Sequence, residues 1–315
     1  MNQKKSSPKV ADSRPTLAGR RVHRIVFVTG KGGVGKSALA AATALQLARA
    51  GQKVLLVELG SRSFYGPLLG LAVGTDTVAW TPEIGIERWD VESSLREYLA
   101  HYLVFKAAAE RVLNHTVMKA LMAAAPSLAE VAILGKLTGP MRHGWYRRDV
   151  DAVVIDAYST GQFMALLRAP RGLSQTATSG PMHRQTAGMS ELLADATICE
   201  YRLVTLAEEL PTAEACEMAR DLRAETGIAP HIYCNRLIDL PPRLPAWPAD
   251  DPAAPFVQHM ARIAVRQRES LAALQALGAE RNGPVRHLPL IPVNDAQRLL
   301  QAMADALDAE PGVAR

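Results

Sequence analysis

The residues best suited to chemistry stand together near the start of the chain, in the run Gly30-Lys31-Gly32-Gly33-Val34-Gly35-Lys36-Ser37, with Ala38 next. The spacing is G-x-x-x-x-G-K-[ST], preceded by an apolar stretch at residues 24–29 and followed by strong helix formers at 37–50. Glycines let the backbone turn tightly, so successive N–H groups point inward at one anion. The helix start that follows adds roughly half a positive charge. Such a loop cradles phosphate: Lys36 would reach the β/γ-phosphates of ATP, and the Ser37 hydroxyl would be a ligand of Mg2+. A chance glycine turn before a helix is the alternative, and it fails to account for every fixed position and both flanks at once.

Lys31 adds a more particular message. A lysine directly after the first glycine marks the deviant form of this loop, in which the extra lysine reaches across a dimer interface to the partner's nucleotide. There it supplies a cation against charge developing on the transferred phosphoryl group. The plainer reading is a solvated lysine on a loop tip. The first reading makes Lys31 and Lys36 catalytic and the protein a homodimer.

These residues need elements to hold them. Residues 24–29, 53–58, 152–156, 200–205, 229–235 and 285–290 are short apolar runs alternating with helical stretches. That rhythm means βαβ units, a mostly parallel sheet and helices on both faces: a three-layer α/β domain over residues 23–315. From 91 to 147 the rhythm breaks into helical text alone (93–109, 112–125 and 128–138), read as a helical insertion. A Pro-, Ala- and Asp-rich surface loop at 241–255 interrupts it again, before helices at 253–277 and 294–307.

Composition bounds the rest. With 48% apolar and 21% charged residues among 315, the chain can bury a sizeable core. Residues 1–22 mix Lys and Arg with Ser and Pro and read as a disordered basic tail. It is either a solvated leader or a contact with a membrane or nucleic-acid surface. No apolar run nears the ~20 residues needed to span a bilayer, and no signal-peptide core is expected. The three cysteines, Cys199, Cys216 and Cys234, are far apart and form no CxxC, which predicts a reducing, cytoplasmic setting and no zinc site. Scattered histidines suggest no metal beyond Mg2+.

Four segments carry a family resemblance. They are the phosphate loop and its helix; Asp156-Ala157-Tyr158-Ser159-Thr160-Gly161-Gln162; Leu166-Leu167-Arg168-Ala169-Pro170; and the run at 204–214 together with Cys234-Asn235-Arg236. In these the sequence resembles the arsenite-pump (ArsA-like) ATPase family, which includes the ATPase that targets tail-anchored membrane proteins. The resemblance implies a P-loop NTPase fold and ATP hydrolysis with Mg2+. It implies that Asp156 holds the metal through water and that Asn235, with Arg236 beside it, reads the adenine edge. Pro292, within 289–293, would close the base pocket.

The departures bear on turnover. Where the best-known members read D-P-A-H-S, with an aspartate that orients the attacking water, this chain reads Gly60-Ser61-Arg62-Ser63-Phe64. Tyr158 and Gln162 replace the proline and histidine of D-A-P-x-T-G-H. Glu58 or Gln162 would then position water, as a glutamine does in some GTPases; otherwise Glu58 is a plain strand-end residue. In the targeting ATPase the helical region accepts a client helix. Here Leu95, Leu99, Leu103, Phe105, Val112, Met118, Leu121, Met122, Leu128, Ile133, Leu134 and Leu137 would either line such a groove or pack the helices on one another. The basic and aromatic run at 141–148 is a partner surface or a solvated helix end. One phosphate loop and no cysteine cluster argue against arsenite transport. The readings left open are a slowly hydrolysing dimeric ATPase handling a protein client, a positioning-type ATPase at a membrane or DNA surface, and a non-hydrolysing nucleotide-dependent scaffold.

Overall fold

The computed structural model describes residues 24–102, 126–142, 149–176, 179–239, 247–248, 250–279 and 285–309. Its strands are β1 (Arg24–Gly30), β2 (Val54–Leu59), β3 (Val78–Ala79), β4 (Ile84–Trp89), β5 (Ala152–Asp156), β6 (Cys199–Leu206), β7 (His231–Leu237) and β8 (Val285–Pro289). Its helices are α1 (Lys36–Arg49), α2 (Tyr65–Leu69), α3 (Val91–Tyr102), α4 (Pro126–Arg142), α5 (Thr160–Thr176), α6 (Pro181–Leu193), α7 (Glu209–Thr226), α8 (Ala254–Ala279) and α9 (Ala296–Ala309). The strands form one sheet ordered β3-β4-β2-β5-β1-β6-β7-β8, parallel except where β3 pairs with β4.

The sequence explains the layers. β1 is apolar at successive positions because both its faces are covered. Ile25 and Phe27 enter a core shared with helices α3 to α8, while Val26 and Val28 enter a second core beneath α1, α2 and α9. Helix α1 is rich in alanine, the strongest helix former, and its buried alanines let it lie close against the sheet. Near its end Arg49 reaches Asp305 (2.8 Å), Asp308 (3.0 Å) and Gln301 (2.6 Å) of α9. Inside, the buried Arg202 guanidinium joins β6 to α1, donating to Glu200 (2.6 Å) and to the Thr43 hydroxyl (2.9 Å). Burial works to raise the Glu200 carboxyl, but Arg202 and Arg24 pull it down to about 2, so it stays charged.

The α/β architecture and the six expected strands are present, with ends shifted by a residue or two. Strands β3 and β4 extend the sheet where none was expected. Gly85, Glu87 and Arg88 break the apolar look of β4, and Glu87 is buried because Thr77 and the Trp89 indole (2.7 Å) donate to its carboxylate. That pairing exists only in the folded chain. Helices α2 and α6 carry no sequence expectation either.

In the 91–147 region α3 and α4 are present, and Leu95, Ile133, Leu134 and Leu137 are buried in the core. These four pack against neighbouring helices and the sheet. The helix expected at 112–125, with Val112, Met118, Leu121 and Met122, lies outside the described residues, as do Leu103 and Phe105. So do the basic tail at 1–22 and residues 143–148. Among the described residues no helix is long and apolar enough to cross a membrane.

Candidate phosphate-binding site

The loop between β1 and α1 stands at the C-terminal edge of the sheet, where β5, β1 and β6 lie side by side. In open α/β sheets ligands gather outside the strand ends at such a place. Two glycines are required by what surrounds them. Gly30 has φ of 151°, and a Cβ there would stand 2.2 Å from the Val204 carbonyl oxygen on β6. Gly35 caps α1 in the left-handed region, φ 99°, and a Cβ would stand 2.4 Å from Asn235 Nδ2. The loop is therefore pressed against the ends of β6 and β7. Open space lies over Gly32 and Gly33 at the exposed tip.

Asn235 does the lacing. Its amide donates to the Val34 carbonyl (2.9 Å), and its side-chain oxygen accepts from the Arg236 N–H (2.9 Å). Arg236 is exposed and has φ of 55°, a left-handed conformation that costs a side-chain-bearing residue free energy. It lies where the register between β7 and β8 shifts.

Lys36 Nζ donates to the Lys31 carbonyl, 2.9 Å away, curling back over the loop. Burial pushes its pKa down, and Asp156 opposes that shift. Lys31 points to α7 and pairs with Glu214 at 2.5 Å. Ser37 and Asp156 meet behind the loop. Burial pushes the Asp156 carboxyl up to about 6; hydrogen bonds from Ser37 and Tyr65 oppose this, Glu58 adds to it, and Lys36 opposes it. The buried Tyr65 hydroxyl lies 2.9 Å from the Ser37 carbonyl oxygen and 3.1 Å from Asp156 Oδ2. Burial raises its pKa well above that of free tyrosine, so it acts as a neutral donor.

Glu58 sits opposite Asp156 in the β2–β5 register. Its carboxylate accepts from the Ser63 hydroxyl (2.7 Å) and from the Phe64 N–H. The same 60–64 loop is held from the other side: the Gly60 N–H donates to the Trp89 carbonyl (3.0 Å), and Arg88 donates to the carbonyls of Gly60 (3.2 Å) and Ser61 (3.1 Å). In this structure Glu58 thus secures the loop.

The fold brings Lys31, Lys36, Ser37, Glu58, Asp156 and Asn235 together. Gln162, in the first turn of α5, and Pro292, after β8, are both exposed. Sequence reasoning assigns no role to Tyr65, Glu214 or Arg88. Tyr65 follows the 60–64 stretch directly, and a tyrosine in so apolar a neighbourhood needs a partner for its hydroxyl. Which partner that would be is not readable from the chain. Among the described residues no group of three or more His, Cys, Asp or Glu side chains could hold a metal ion. The Cys199 and Cys234 thiols are pushed up to about 12 by burial, Cys199 also by Asp195.

Comparison with known proteins gives a consistent result. The family model described as anion-transporting ATPase (ArsA ATPase) matches residues 23–179, from β1 past the Asp156 segment. ATPase BagA of Mycobacterium tuberculosis and a putative ATPase of Mycobacterium bovis are each 33% identical over 218 residues, covering 65% of this chain and 62% of theirs. An arsenical pump-driving ATPase of Acidiphilium multivorum is 28% identical over 286 residues, covering 85% of this chain and 46% of its own. The chain thus spans less than two thirds of the length of these relatives. With its phosphate loop between β1 and α1, its buried strand-end Asp156 and these matches, the chain belongs to the ArsA-like family of ATPases.

Proposed function

We propose that this protein binds ATP with Mg2+ at residues 30–37 and hydrolyses it slowly as a homodimer, its nucleotide state changing the helical layer that handles a protein client. One observation carries the nucleotide reading: Lys36, Ser37 and Asp156 converge at a loop whose Gly30 and Gly35 lie tight against the ends of β6 and β7. These residues would suit a triphosphate. Open space lies above Gly32 and Gly33, and the Lys36 ammonium, bonded to a backbone carbonyl, would find a stronger partner in a phosphate oxygen. The Ser37 hydroxyl and Asp156 carboxylate are hard oxygen donors suited to Mg2+, Asp156 acting through water. Bound there, the ion would neutralise charge on the β- and γ-phosphates. Lys36 would hold those phosphates, Lys31 would reach the partner's nucleotide, and Asn235 with Arg236 and Pro292 would frame the base.

Slow turnover is supported by the engagement of Glu58 with the 60–64 loop and by the lack of a carboxylate in that loop. Those facts also favour the second reading, a nucleotide-dependent scaffold without hydrolysis. Either way we take residues 23–315 as one ATPase domain behind a basic tail, working in a reducing, cytoplasmic setting. The three free thiols support that setting. The client reading belongs to the helical insertion at 91–147, within which Leu95, Ile133, Leu134 and Leu137 are buried in the core.

Nucleotide binding followed by fluorescence, run beside phosphate release, tests the reading. Lys36→Ala should weaken ATP binding at least tenfold, whereas Lys31→Ala should bind ATP and lose turnover. Tight ATP binding by the wild type with no phosphate release would establish the scaffold in place of the enzyme.

A further inference from the structure

Tyr65 is fully buried, yet its hydroxyl stands at the meeting point of two elements far apart in sequence. It lies 2.9 Å from the carbonyl oxygen of Ser37, in the first turn of α1, and 3.1 Å from Oδ2 of Asp156, at the end of β5. Both acceptors belong to residues assigned above to Mg2+. Both oxygens lie within reach of the one phenolic proton, and the ring is packed in the core beneath α1 and α9. Tyr65 is also the first residue of α2, so it is tied to the 60–64 loop that precedes it. Glu58 grips that loop through Ser63 and Phe64, and Arg88 with the Trp89 carbonyl grips its other side. Phe64 packs edge-on against the Tyr65 ring, with centroids 5.3 Å apart, while being 46% exposed itself. The Tyr65 hydroxyl thus links the start of α2, next to the 60–64 loop, to the Asp156 carboxylate.

We propose that Tyr65 is a positioning residue for Mg2+, presetting Asp156 against Ser37 and coupling metal affinity to the 60–64 loop. The inference rests on the nucleotide reading above. Partners that orient a metal-binding carboxylate without touching the metal alter affinity by about 10- to 100-fold when removed. Tyr65→Phe keeps the ring and deletes the hydroxyl, so packing is retained while the restraint is lost.

The test is titration of N-methylanthraniloyl-ADP with wild type and Tyr65→Phe, once with EDTA and once across a Mg2+ series. The expected result is that binding in EDTA stays within about twofold of wild type, while the Mg2+ concentration for half-maximal effect rises about tenfold. An unchanged Mg2+ requirement overturns the inference. So does an equal fall in affinity with and without metal, which would mark Tyr65 as packing alone. Should Tyr65→Phe fail to give a cooperative melt, Ser63→Ala carries the test. It removes the Ser63 tie between the loop and Glu58 and leaves the Tyr65 ring in place, and it should raise the Mg2+ requirement in the same direction; no change refutes the coupling. A wild type that binds no nucleotide overturns the nucleotide reading and this inference with it. Mg2+-dependent binding that is identical in wild type and variant overturns this inference alone.

Discussion

Asp156 is a buried carboxylate with a raised pKa, and its titration has a definite sign. Its folded value, about 6, lies above its ordinary 3.8, chiefly through burial. Above pH 6 the folded protein carries the full cost of a buried charge. Between about pH 6 and 4 it takes up a proton that the unfolded chain does not yet bind, so this contribution to stability improves as pH falls. Two units correspond to about 3 kcal/mol. Asp156→Asn should therefore be more stable than wild type at pH 8 without Mg2+ or nucleotide, by up to about that amount, and about equal at pH 4. Urea denaturation at the two pH values checks it, and a variant no more stable at pH 8 contradicts the assignment. The same carboxylate should lose Mg2+ affinity as pH drops through 6, because proton and metal compete for it.

At the scale of elements, the site depends on how β6 and β7 press on the phosphate loop. Gly35 is the clearest point of contact: left-handed, with the Asn235 amide where its Cβ would lie. Gly35→Ala should cost about 2 to 3 kcal/mol, since both the backbone conformation and the Asn235–Val34 hydrogen bond are disturbed. It should weaken nucleotide binding in parallel. Chemical denaturation beside a nucleotide titration checks both, and a stable variant with wild-type affinity would show that the loop yields more easily than its packing implies. The strand–loop–helix order around residues 30–37 was readable because turn glycines, apolar run and helix formers are local signals. β4 was not, because the burial of Glu87 depends on Thr77 and Trp89.

For the molecule as a whole, the pairing of Lys31 with Glu214 on α7 matters most. Each side chain is about one-third exposed, at 34% and 33%, so the pair adds less than about 1 kcal/mol to stability. If Lys31 serves a partner's nucleotide, it must first leave Glu214. Glu214→Gln should therefore melt like wild type and dimerise at lower ATP concentration, by about two- to fivefold at the energies typical of such pairs. Sedimentation velocity with ATP, with ADP and without nucleotide measures this. A protein that stays monomeric in every state would remove the homodimer from the proposed function.

The sequence by itself marked where a phosphate-binding loop is expected, because the loop spacing, its glycines and its flanks are contiguous and each acts locally. It also determined the α/β class, through the alternation of apolar runs with helix formers, and it marked Asp156 and Asn235 through the segments around them. Tertiary structure decided what those residues touch. Lys31 lies against Glu214, Asn235 ties the loop to β7, Glu58 holds residues 60–64, and Tyr65 reaches both Ser37 and Asp156. The physical reason is that a hydrogen bond is set by distance and direction in space, and the partners here come from strands and helices that the sheet order, not the chain order, brings side by side.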